Sequence, residues 1–286
     1  MGEGVSWVKR RFIDGGAYNI IHDAESGLPR QYIPSTLEDN KVLIEADPQY
    51  EARLKLMGVK LYRALRHGDW DVIEGASFEE LDKAVHSCRP HAPSKGVDVW
   101  CAMDWGYAKP FSVGWYYATP DGAIVRFREW YGWNGEANQG LRMGARDVAR
   151  GILAAEQGIT VGMRYADPSI WNKSDDGNSI AENMRDEGVL WQPADNDRIQ
   201  GKMEIHNRLR RNGADAVGLQ VAENCVHFWR TFPMLQPSTT RPEDVDSKLE
   251  DHLYDEVRYS LMSRRCFDGH GIVDYGDECM TANMDW

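Results

Sequence analysis

Three aspartates stand where a metal-dependent phosphoryl-transfer centre would need them. Asp104 ends the apolar run Val97-Asp98-Val99-Trp100-Cys101-Ala102-Met103-Asp104 and is followed by Trp105-Gly106, so a carboxylate sits where a strand gives way to loop. Asp167 repeats the arrangement in Tyr165-Ala166-Asp167-Pro168-Ser169. Asp251 lies near the start of an expected helix, and Asp255, four residues on, shares its face, where like charges repel unless a cation lies between them. Taken singly, each reads equally well as a turn residue or as an acid favoured by a helix dipole. The combination of two strand-end acids and a later helical pair is what points to a two-metal site. Hard oxygen donors of this kind suit Mg²⁺ or Mn²⁺. Two such ions ~3.5–4 Å apart activate a water and stabilise the departing 3′ oxygen of a phosphodiester. Asp104, Asp167 and Asp251 are therefore the expected catalytic residues and metal ligands. Asp255 is an auxiliary candidate, as is His252, which could assist proton transfer.

The elements that must position these acids follow from periodicity. Residues 97–104 alternate, with Val97, Val99, Cys101 and Met103 on one face and Asp98, Trp100, Ala102 and Asp104 on the other. Residues 111–118 and 123–131 are β-rich and are joined by Thr119-Pro120-Asp121-Gly122, a hairpin signal. Three antiparallel strands are thus adjacent in sequence. Helix and strand then alternate: helix 139–157, strand 162–166, helix 179–186, strand 189–192, helix 197–211 and strand 218–222, before helices at 225–235 and 249–263. The fold class is α/β, a mixed sheet of a three-strand antiparallel meander plus parallel strands, flanked by helices. Residues 1–87 read as a small helical appendage with little core, with helices at about 47–57 and 59–67. The breaker-rich Arg89-Pro90-His91-Ala92-Pro93-Ser94-Lys95-Gly96 marks the boundary, leaving 88–286 as the main domain.

A net charge of −12 over 286 residues counts against nucleic-acid binding, because affinity for phosphate comes from Lys and Arg. The helix at 197–211 offsets this locally: Arg198, Lys202, Arg208, Arg210 and Arg211 stand against Asp197 and Glu204 and form the expected DNA-binding face. Its other reading is a solvated amphipathic helix with Ile199, Met203, Ile205 and Leu209 turned inward. No apolar run approaches the ~18 residues needed to span a bilayer, and five scattered cysteines fit a reduced, intracellular setting. No G-x-x-x-x-G-K-[ST] run occurs, so the chain lacks a phosphate-cradling ATPase loop.

The runs Cys101-Ala102-Met103-Asp104-Trp105-Gly106, Tyr165-Ala166-Asp167-Pro168-Ser169 and Glu250-Asp251-His252-Leu253-Tyr254-Asp255-Glu256-Val257-Arg258-Tyr259 resemble the nuclease domain of large terminase subunits of tailed bacteriophages. The resemblance covers most of residues 96–264. It implies an RNase H-like fold, Mg²⁺ or Mn²⁺ held through Asp104, Asp167 and Asp251, and cleavage of concatemeric double-stranded DNA during genome packaging. Residues 1–87 resemble the segment that joins motor to nuclease in the same family, through 30–34, 37–40, 50–56 and Leu65-Arg66-His67-Gly68-Asp69-Trp70. The chain accordingly reads as a fragment of a longer subunit, or as a separate gene product. The resemblance further implies a small terminase subunit and a portal protein as partners, a ring in the full-length motor with a monomeric isolated fragment, and residence in the host cytoplasm. Two other readings stay open: another RNase H-like nuclease such as a Holliday-junction resolvase, and a non-catalytic docking domain of the motor.

Overall fold

The computed structural model describes residues 8–23, 26–56, 62, 65–68, 75–173, 177–210 and 217–263. The chain divides into two units, Met1–Ser77 and Phe78–Trp286.

In the first unit a short hairpin pairs β1 (Ile20–His22) antiparallel with β2 (Pro29–Gln31). Asp23 closes it by accepting from Arg30 and Arg11, each at 3.0 Å. Helix α1 (Lys41–Ala46) starts where the Asn40 side chain accepts from Leu43 N, and α2 (Tyr50–Leu56) follows. The helix expected from Asp47 therefore begins three residues later, because Asp47 caps the end of α1. Among the described residues of this unit only Leu37 and Leu54 are buried apolar side chains, a thin core as the composition implied. Most of the expected helix at 59–67, together with Asp69 and Trp70, lies outside the described residues.

The second unit contains α3 (Lys83–His86), β3 (Ser87–Cys88), β4 (Val99–Asp104), β5 (Ser112–Ala118), β6 (Ile124–Tyr131), α4 (Ala145–Ala155), β7 (Val161–Ala166), α5 (Ile180–Asp186), β8 (Gln192–Pro193), α6 (Arg198–Leu209), β9 (Leu219–Ala222), α7 (Val226–Thr231) and α8 (His252–Met262). Seven strands form one sheet in the order β3-β9-β6-β5-β4-β7-β8. The β4-β5-β6 meander is antiparallel at its centre, and β7, β8, β9 and β3 add parallel strands on either side. This is the mixed sheet, an antiparallel meander plus parallel strands, that the sequence implied. The division between units falls at Ser77/Phe78, ahead of the Pro-rich linker. Phe78 packs against the Phe232 and Tyr254 rings, and β3 extends the sheet beside β9.

Both faces of β4 are buried, and its alternation sorts side chains into two cores. Trp100 and Ala102 pack with α6, α7 and α8 residues such as Ile205, Phe228, Leu253 and Val257, while Val99, Cys101 and Met103 pack with Val148, Ile152 and Met184 of α4 and α5. Asp104 shares the parity of Trp100 and therefore faces α8. Trp100 Nε1 fixes that face by donating to Ser260 Oγ of α8 at 2.8 Å.

Helix α4 begins at Ala145 instead of the expected 139. Residues 132–144 instead form a loop laid against 105–111, with Gly140 N donating to Ala108 O and Gly132 N to Phe111 O, each at 2.8 Å. A Cβ at Gly140 would come within 2.2 Å of Lys109 O, so only glycine permits this approach. Among the described residues no helix is long and apolar enough to cross a membrane. Cys88, Cys101 and Cys225 are free thiols, and Cys266 and Cys279 lie outside the described residues.

Candidate active site

Parallel pairing of β4 with β7 sets Met103 beside Ala166, so Asp104 and Asp167 leave the sheet as neighbours, with Asp167 N donating to Met103 O at 3.4 Å. Asp251 reaches the same edge from α8, which packs across β4. It occupies the N-cap position, yet its carboxylate makes no capping hydrogen bond, which leaves it available for other partners. Asp104 and Asp251 are only 8% and 5% exposed.

Burial pushes the Asp104 carboxyl up to about 7; hydrogen bonding to His252 opposes the rise, and the charges of Asp255 and Asp251 add to it. Asp251 is pushed up to about 6 by burial and then by Asp255. Asp167 behaves differently. Burial acts to raise it, but hydrogen bonds from Ser169 and Tyr259 outweigh that and hold it below the usual range. Ser169 N donates to Oδ1 at 2.6 Å and the Tyr259 hydroxyl to Oδ2 at 2.5 Å. His252 Nδ1 lies 3.1 Å from Asp104 Oδ2, and its Nε2 lies 3.0 Å from Asn138 Oδ1. Burial works against the imidazolium, but the Asp104 hydrogen bond and charge outweigh it and raise the His252 pKa. An imidazolium donates from both nitrogens, which matches the two oxygens it faces.

The acids of α8 are not equivalent. Arg198 Nη1 donates to both oxygens of Asp255 at 2.8 and 3.0 Å, and Arg258 donates to Asp255 Oδ1 at 3.0 and 3.2 Å. Two guanidiniums thus claim Asp255. Glu250 is likewise taken, by Arg230 and the Tyr131 hydroxyl. Asp251 receives only a 3.4 Å contact from Arg198 Nη2 on Oδ2. Oδ1 of Asp104 and Oδ1 of Asp251 accept no hydrogen bond from any described residue.

These donors suit a hard cation: they are oxygen-only and drawn from separate elements, with Asp104 and Asp251 buried and Asp167 half-buried. As the side chains stand, no group of three or more His, Cys, Asp or Glu among the described residues is arranged to hold an ion. In this arrangement Tyr259 holds Asp167 and Arg198 leans on Asp251. A shared ion would draw these carboxylates in from their present positions. Each oxygen of Asp167 retains a second lone pair for that purpose.

The expected DNA-binding helix is placed otherwise than the sequence suggested. Arg198 points into the acid cluster, its Nε donating to Asp244 at 2.9 and 3.1 Å. Lys202 is 6% exposed, and its Nζ donates to the carbonyls of Pro242 and Asp244. Arg208 pairs with Glu204 and donates to Gly122 O. Arg210 is exposed but sits 3.3 Å from Glu80. Arg211 lies outside the described residues.

A second buried cluster registers α8 on the sheet. Arg126 of β6 and Glu256 of α8, both fully buried, pair at 2.7 Å, and Glu256 also accepts from Tyr116 and Ser112. Gly114 makes room for it, because a Cβ there would lie 2.2 Å from Glu256 Oε1. A buried ion pair is tolerated only when hydrogen bonds complete it, and this one fixes where Asp251 falls relative to Asp104. Sequence reasoning missed Asn138, Tyr259 and Glu256 as supports of the site. Tyr259 and Glu256 lie within the quoted motif on α8, whereas nothing local marks Asn138.

The chain is similar in structure to the large terminase of a thermophilic bacteriophage. Against the ADP complex of that protein the TM-score is 0.55 at 19% identity, covering 92% of this chain and 60% of that one. A further structure of the same terminase gives a TM-score of 0.54 at 18% identity, covering 91% and 60%. The P22 large terminase nuclease domain matches with a TM-score of 0.53 at 16% identity, over 67% of this chain and 93% of that one. The chain therefore spans about 60% of the length of the thermophilic phage terminase it matches and shares the fold of large terminase nuclease domains. No protein-family model matches it, and no curated protein does.

Proposed function

We propose that this chain is the nuclease part of a phage large terminase: a divalent-metal-dependent endonuclease that cuts concatemeric double-stranded DNA during genome packaging. One observation carries the reading. Asp104 and Asp251, buried carboxylates from different elements, are raised to about 7 and about 6, and each keeps one oxygen free of side-chain hydrogen bonds from the described residues. Asp104 has His252 and Asp251 has a long contact to Arg198, a thinner set of partners than the guanidinium pairs of Asp255 and Glu250 beside them.

In this reading Asp104, Asp167 and Asp251 hold two ions, Mg²⁺ or Mn²⁺. When bound, such ions supply positive charge against the phosphoryl oxygens and the departing 3′ oxygen in an in-line displacement. His252 orients Asp104 through Oδ2, leaving Oδ1 for the centre, and keeps a proton on Nδ1 at the edge of the site. Tyr259 aims Asp167 in the same way. Asp255 stays with Arg198 and Arg258 and acts as a fixed negative charge behind the ligands. A small terminase subunit, a portal protein, ring assembly in the longer subunit and residence in the host cytoplasm belong to the same proposal.

The test is Mn²⁺-dependent nicking of a supercoiled plasmid by the wild type and by Asp104→Ala. The wild type is expected to nick and the variant not. Equal nicking by both, or none by the wild type, removes the catalytic claim.

A further inference from the structure

Arg198, Lys202 and Arg208 of α6 are engaged by the protein's own acceptors, and the loops after β4 and β6 have the properties of a place where the DNA backbone is met instead. They are built as one unit. Besides the Gly140 and Gly132 bonds, Arg142 N donates to Tyr107 O at 3.2 Å and Leu141 N to Gly132 O at 2.9 Å. Gly106 and Gly140 both sit where a Cβ would strike backbone atoms of the 107–110 segment.

This unit is joined to the acids at two points. Residue 105 follows Asp104 directly, and Asn138 accepts from His252, which in turn holds Asp104. Lys109 is near enough for its charge to act against protonation of His252.

The unit also presents free positive charge. Lys109 and Arg142 are exposed, and neither side chain makes a hydrogen bond or ion pair with a described residue. Arg142 is held at φ 55, in the left-handed region that a bulky residue rarely adopts. Such strain persists where the surroundings impose it, commonly at functional sites. Tyr107, 54% exposed, adds a hydroxyl of the kind that contacts phosphates. In a protein of net charge −12, two unpaired cations beside a carboxylate centre are where a polyanion can approach.

We propose that the paired loops 105–111 and 132–144 form the DNA-backbone grip of the metal centre, with Lys109 and Arg142 as phosphate contacts, in place of the basic helix. The proposal rests on the nuclease reading above. It adds which residues hold the substrate and why an acidic chain binds it.

The test uses full-length chain in an Asp104→Asn background, with a fluorescent 30-base-pair duplex in Mn²⁺, and reads binding against NaCl concentration. Lys109→Ala with Arg142→Ala is expected to flatten the log–log salt slope by about 1.8, two contacts at ~0.9 each. Lys95→Ala is the control. It precedes β4 at the end opposite Asp104, with the strand's six residues, roughly 20 Å at ~3.3 Å per residue, between them, and leaves the slope unchanged. Lys109→Arg with Arg142→Lys restores the parental slope, because the contacts are to charge. Thermal melts report whether the variants fold as the parent does. A parental slope in the folded double alanine variant overturns the proposal, as does a parent that binds no duplex at any salt. Wild-type plasmid nicking, run alongside, separates the cases: nicking with an unaltered slope sinks the loop proposal alone, while absence of both nicking and binding sinks the nuclease reading with it.

Discussion

Helix α8 carries two buried carboxylate clusters five residues apart, and they are opposites. Glu256 is met by Arg126, Tyr116 and Ser112, so that both its oxygens are used, although burial still raises its pKa. Asp251, at the start of the same helix, faces Asp104 with one long contact to Arg198 and one oxygen without a partner. Burial is common to both and so distinguishes nothing. Completeness of the partner set distinguishes a carboxylate that holds the fold together from one kept for a ligand.

The largest expected effect breaks the complete cluster. Glu256→Ala removes one of the two carboxylates that face the buried Arg126 guanidinium, leaving Glu129 at 2.6 Å, and strips Tyr116 and Ser112 of their acceptor, which costs about 3 kcal/mol. Urea unfolding should show it as a large loss of stability, whether or not Mn²⁺ is present. Within the incomplete cluster the substitutions separate ligand from support. Asp251→Asn should lower Mn²⁺-dependent nicking by roughly 100-fold or more, about 2.7 kcal/mol in the transition state. Asp255→Asn should lower it by about tenfold or less, because Arg198 and Arg258 already hold that carboxylate. Equal losses in the two variants would make Asp255 a ligand and erase the distinction drawn here.

The smallest effect is in pH. Asp104 and Asp251 stand at about 7 and about 6 in the folded chain against an ordinary 3.8, so the fold disfavours their ionised forms. The His252 pKa is also raised, which favours its protonated form. Stability is therefore present at low pH and lost as pH rises through about 6 to 7. In metal-free buffer the melting temperature should fall by a few degrees between pH 5.5 and 8, on the order of 1 kcal/mol. Saturating Mn²⁺ should remove most of that fall, and a melting temperature that rises over this range would show these acids to be compensated.

How far the sequence revealed this site follows from what is local. The acids at strand ends are marked by patterns spanning a few residues, and β4 alternates as expected, so the placement of Asp104 and Asp167 at neighbouring strand ends is legible from the sequence. Sequence leaves the third acid open between Asp251 and Asp255, because spacing places both on one face while Arg198 of α6, which favours Asp255, lies 53 and 57 residues earlier in the chain. The side-chain placement of the basic helix is hidden for the same reason. Charge in sequence does not reveal that Asp244, 46 residues after Arg198, turns inward to meet it. The helix expected from 139 fails because Gly140 and Arg142 take conformations dictated by the 105–111 loop across from them. Strand β3 is two residues long and exists by virtue of β9, so no periodicity announces it.

The central claim is that Asp104 and Asp251 are kept incomplete for divalent ions, and metal binding tests it without reference to catalysis. Calorimetric titration of Mn²⁺ at pH 6.5, repeated in buffers of different ionisation enthalpy, reads both the ions bound and the protons released. The account predicts binding by the wild type with net proton release, since acids raised to about 6 and 7 are partly protonated there. It also predicts loss of both signals in Asp104→Asn. Wild-type protein that binds no Mn²⁺, or Asp104→Asn protein that binds it equally well, would contradict the account.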